Sequence, residues 1–162
     1  MVDLSETWRK IMAPRTVNLL TAMAVPLCAA DPYVGTWKMN VPLSKYEGGT
    51  RPREQTVIIT KIGTDLDHKV AGTAADGRKI SAWFTIPSVE GTGKVIESAT
   101  YDGVSVKWNS PSQREVIYRK GGKIVNTVWS RISSDGKSMS AHSKGVNAVG
   151  ERVEGDSTYD KL

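Results

Sequence analysis

Cysteine is nearly absent: the single thiol is Cys28, so no intramolecular disulfide can form and stability has to come from packing. The longest apolar stretch, residues 17–27, is too short to cross a bilayer as a helix. G-x-S-x-G, H-E-x-x-H and dinucleotide fingerprints are missing, and Gly91-Thr92-Gly93-Lys94 lacks the preceding glycine of a phosphate loop. There are only two histidines, His68 and His142, neither with a second His, Cys or carboxylate at ligand spacing. These gaps give no reason to expect a metal or a cofactor, and any catalysis would have to be assembled from scattered residues.

Charge is equally uninformative about a polyanionic partner. The formal net charge of +5 is mild, and its basic residues are dispersed. The densest group, Arg119-Lys120-Gly121-Gly122-Lys123, reads as a solvated hairpin tip, so no nucleic acid is expected. Weak peripheral contact with an anionic envelope surface stays open.

What the sequence does contain is turn chemistry. Asp76-Gly77, Asp102-Gly103, Gly121-Gly122 and Asp135-Gly136 separate short segments of alternating apolar and polar residues, the pattern of antiparallel hairpins. About ten strands follow, over 33–40, 55–62, 66–73, 79–86, 94–101, 104–109, 115–120, 123–132, 138–145 and 153–161. With 162 residues and 39% hydrophobic content, one domain suffices. A meander of this length has two edges to hide, and closure is the direct solution. The expected fold is therefore all-β, a single antiparallel up-and-down barrel of about 8–10 strands over residues 31–162.

Residues 1–30 are of another kind. Arg15, the apolar stretch 17–27 and the small residues Cys28-Ala29-Ala30 follow the order of a secretory signal peptide cleaved after Ala30. A signal-peptide-like helix is expected there, and the mature protein is expected to be periplasmic or secreted. Residues 1–11 are polar and unlike a basic n-region, which leaves open a start at Met12 or a short extra segment. An ordinary buried helix and lipidation of Cys28 are the competing readings.

Short motifs add a family resemblance. Gly35-Thr36-Trp37-Lys38 opens the first strand as the G-x-W motif does in lipocalins and fatty-acid-binding barrels, and Tyr159-Asp160-Lys161-Leu162 resembles their closing strand. Trp37-Lys38-Met39-Asn40, Ser44-Lys45-Tyr46 and the run from Ser133 to Met139 are similar to exported bacterial lipocalin-like domains. The resemblance implies structural roles for Gly35 and Trp37, with the indole packed across one barrel end. It also marks two departures. Residues 41–53 are too rich in Pro and Gly for a helical lid, and Ser157, two residues before Tyr159, replaces the arginine of a carboxylate-binding Arg-x-Tyr.

The expected ligand is a small apolar or amphipathic molecule inside the barrel. Trp83, Trp108, Tyr118 and Trp129 are the candidate aromatic walls, and Arg131 shares a strand face with Trp129 and could meet an acidic group. For Trp129 and Arg131 the expected side is the cavity. Two alternatives stand beside this reading: an isomerase, cyclase or hydrolase using His68 or His142, and a filled barrel serving as an envelope interaction module.

Overall fold

A computed structural model describes residues 30–162. The expected signal segment, with Cys28, lies outside the described residues but for Ala30. Among the described residues there are twelve strands: β1 (Gly35–Met39), β2 (Lys45–Tyr46), β3 (Glu54–Ile62), β4 (Asp65–Thr73), β5 (Lys79–Pro87), β6 (Gly91–Thr92), β7 (Lys94–Glu97), β8 (Gly103–Ser110), β9 (Gln113–Lys120), β10 (Lys123–Ile132), β11 (Ser138–Val146) and β12 (Arg152–Lys161). Ten coincide with the expected strands, and β2 and β6 are two-residue additions. Among the described residues the helical segments are the 3-10 turns Val41–Leu43 and Glu47–Gly49.

The sheet runs in the order β6-β8-β9-β10-β11-β12-β1-β3-β4-β5-β7, with every pairing antiparallel. β1 joins the two ends of the meander, since Trp37 pairs with Lys161 on one side and Val57 on the other. The remaining seam is closed by β6 and β7, separated by Gly93 alone. β6 pairs with β8 (Gly91 with Val106) and β7 with β5 (Thr85 with Lys94), so one short segment changes partners midway. The result is a nearly closed barrel, consistent with a calycin-like fold.

Gly93 sits at that change of partner. Its N–H donates to Val104 O at 2.9 Å, and a Cβ there would lie 2.0 Å from Thr85 O. No side chain fits, which is the close-approach use of glycine in a strand. Gly121 and Gly122, with φ of 55° and 79°, make the two-residue hairpin between β9 and β10 as expected.

Two expectations are corrected. Asp102-Gly103 is not a hairpin turn: Gly103 opens β8, and the Asp102 carboxylate accepts from Gly121 N–H at 3.1 Å. The strand expected over 94–101 stops at Glu97, because Ser98 Oγ accepts from the backbone N–H of Thr100 and Tyr101 and bends the chain.

Alternation along the strands places the core inside. Val57 and Ile59 on β3, Ala82, Phe84 and Ile86 on β5, Val104 and Val106 on β8, and Val116 and Tyr118 on β9 form one buried cluster. One barrel end, the floor, is plugged by the segment before β1. Tyr33 and Trp37 have no exposed surface, the Trp37 indole donates to Tyr33 O at 2.8 Å, and the Tyr33 hydroxyl reaches Ser130 O at 3.0 Å. Lys161 Nζ lies 5.1 Å from the Trp37 ring centroid. Gly35 adopts φ 147° against the Lys161 side chain, a conformation and a space that favour glycine.

The other end, the mouth, is made of the loops 40–53, 74–78, 98–102 and 147–151. β2 lies across it, pairing Tyr46 with Gly155. Arg78 ties two of these loops together, donating to Val149 O at 2.7 Å and pairing with Glu151 at 3.3 Å.

Candidate ligand-binding site

The interior between floor and mouth is not filled. A cavity of about 140 Å³ remains, lined by apolar side chains such as Val57, Phe84, Val116, Val128 and Met139, with Tyr46, Pro52 and Ala148 toward the mouth. Polar groups interrupt this wall at a few points. Gln55 donates to the Tyr159 hydroxyl at 3.0 Å, and Tyr46 hydrogen-bonds Ser157 through their hydroxyls. Burial holds the phenol of Tyr159 above its usual range and pushes that of Tyr101 up to about 12. Both phenols are neutral donors at physiological pH.

The chemistry concentrates toward the floor. Arg114, on β9, is 5% exposed and lines the cavity together with His68 of β4. Arg114 Nη2 donates to His68 Nε2 at 2.9 Å. With Nε2 accepting, the imidazole proton belongs on Nδ1, which donates to Leu66 O at 3.1 Å. The ring stacks on Phe84, with centroids 4.8 Å apart. Burial, and then the neighbouring Arg114 charge, hold His68 well below its usual pKa, so it is neutral.

Arg114 has no carboxylate in contact among the described residues, and Asp31 acts on it only through space. Its guanidinium lies over the Tyr33 ring at 3.8 Å and 5.5 Å from the Trp108 centroid, while Nε and Nη1 have no hydrogen-bond partner. No ion pair reaches it among the described residues. Desolvation lowers its pKa from the usual arginine value, and the residue keeps its charge because that value starts so high. Asn126 Oδ1 is a second buried polar atom on the cavity wall without a partner.

Of the residues singled out from sequence as ligand walls, Tyr118 lines the cavity, packed edge-on against Phe84 and 4.5 Å from Tyr101. Trp108 belongs to the floor, edge-on to Tyr33 and donating to Pro87 O at 3.2 Å. Trp83 lies on the outer face, where its indole donates to Asp67 and Lys69 covers its ring. Trp129 and Arg131 do share a strand face, but it is the outer one, and this corrects their expected place on the cavity side. The inward residues of β10 are Asn126, Val128 and Ser130. Trp129 is 39% exposed beside His142, and Arg131 is held by the side-chain oxygen of Gln113 at 3.0 Å.

The two histidines are therefore unlike. His68 is buried with both nitrogens engaged, and His142 is on the outer surface, where Nδ1 bonds Asp156 at 2.8 Å. Sequence reading missed Arg114, Tyr33 and Asn126. The signal for Arg114 was its alternation with Val116 and Tyr118, hidden by starting that strand two residues late, at 115 instead of Gln113.

No protein-family model and no curated protein matches this sequence. Among the described residues no cluster of His, Cys, Asp and Glu is arranged to hold a metal, and no helix is long and apolar enough to cross a membrane.

Proposed function

We propose that this protein is a lipocalin-like carrier, exported to the periplasm or beyond, that holds a small amphipathic molecule inside its barrel. The observation that supports this most is the unfilled interior: an apolar cavity of about 140 Å³ whose wall carries polar atoms without partners, Nε and Nη1 of Arg114 and Oδ1 of Asn126. Apolar surface of a ligand buried there is worth about 25 cal/mol per Å², and the polar points would fix its orientation. The cavity is comparable to the roughly 150 Å³ that accepts one benzene-sized ring, so the buried part of the ligand is compact rather than a long chain. The walls leave the mouth, with its loops and polar contacts, as the entry.

A titration of tryptophan and probe fluorescence with a small apolar dye tests the reading. Ala141→Phe, which fills the cavity from β11, should weaken binding at least tenfold, and Trp129→Ala on the outer face should leave it unchanged. Loss in the second variant and not the first would move the site to the outer surface beside His142 and Asp156, where the enzymatic alternative would have to be sought. Export is tested separately by N-terminal sequencing of the protein recovered from the envelope, with Asp31 expected first.

A further inference from the structure

Arg114 is a cation buried in the barrel with no ion-pair partner among the described residues; the Asp31 carboxylate acts on it only from beyond ion-pairing distance. Desolvating a charge costs several kcal/mol even after relaxation, and such groups are ordinarily paired. The contacts that compensate are the Tyr33 ring 3.8 Å from the guanidinium, the Trp108 ring at 5.5 Å and the His68 lone pair. None of these contacts carries negative charge. Stacking on Tyr33 uses a face of the guanidinium and leaves the N–H edges in its plane, where Nε and Nη1 are unpartnered. Water entering the cavity would satisfy those N–H groups but would not offset the charge. A bound anion would do both.

We propose that Arg114 is the receptor for the anionic end of the interior ligand, and that the ligand is a compact monocarboxylate, its acid group against the floor and its ring-sized apolar body toward the mouth. This rests on the carrier reading above. The wall sets the charge at one: among the described residues Arg114 is the only Lys or Arg lining the cavity, and His68 is neutral. Compactness follows from the volume. His68 acts here as a positioning residue, since by accepting from Nη2 it fixes the orientation of the guanidinium and leaves the other nitrogens for the ligand.

The test compares benzoate with benzamide, an isostere without charge, by calorimetry on the full chain, with ¹⁵N resonances of the His68 ring followed in parallel. Benzoate should bind at least tenfold more tightly, and its binding should shift the His68 signals and leave those of His142 in place, whereas an anion in the outer pocket that Arg114 shares with Trp129, Arg131 and His142 would move the His142 signals. In Arg114→Met the preference should fall to near one. If that variant does not fold, the benzoate-to-benzamide ratio and a shift of His68 without one of His142 in the unaltered protein decide alone. Equal binding of acid and amide would overturn the anion receptor and leave the carrier reading intact. Binding of neither would also overturn it, and if Ala141→Phe then failed to weaken binding of the apolar dye, the carrier reading would fall as well.

Discussion

The two ends of this barrel are built on different physics. At the floor, aromatic rings without exposed surface are locked by hydrogen bonds to backbone carbonyls: Trp37 to Tyr33, and Tyr33 to Ser130. At the mouth, loops are joined by exposed polar side chains, as Arg78 joins Val149 and Glu151. Floor contacts combine large apolar area with buried donors, so opening them exposes both. Mouth contacts exchange with water at little net cost. A barrel with one end of each kind can open at one end without risk to the other.

Removing a floor ring should give the largest effect. Trp37→Ala deletes a fully buried indole and is expected to lower stability by roughly 3–5 kcal/mol in denaturant unfolding. A loss under about 1 kcal/mol would show that the floor is not the stabilising end.

An intermediate effect is expected from pH. His68 is held neutral when folded, with its pKa below the unfolded value of about 6.5, so the unfolded chain takes up a proton that the folded chain does not. Stability is therefore fully present above pH 6.5 and falls as pH drops from there, by roughly 1.4 kcal/mol per pH unit. His68→Gln should remove this slope between pH 6.5 and 5, and an unchanged slope would assign it elsewhere. The smallest global effect is expected at the mouth. Arg78→Ala should leave the unfolding midpoint where it is and speed amide exchange in residues 147–151 several-fold. A shifted midpoint would mean that the mouth, too, is part of the cooperative core.

Much of this was legible in the sequence. Turn glycines and β-branched runs such as Thr56-Val57-Ile58-Ile59-Thr60 mark the strands, because backbone conformation is a local property. Trp37 could be placed because its motif fixes it near the start of β1. The cavity wall was not so accessible, because facing has a period of two and an error of one residue inverts it. On β10 both faces mix apolar and polar residues, and choosing between them required the barrel to be closed. Arg114 was hidden for a related reason: a charged residue beside a turn reads as solvated until the neighbouring strands and the Tyr33 plug are seen to cover it.

The seam between β1 and β12 also bears on how the molecule acquires its structure. Most strand pairs join neighbours in the sequence and can form as local hairpins, whereas pairing Trp37 with Lys161 requires the whole meander to come round. Non-local contacts of this sort slow folding more than they alter stability. β1 brings Tyr33 with it, so the Arg114 guanidinium stays hydrated until that seam closes. Sealing the floor and stripping water from the cation then fall in the same late kinetic step.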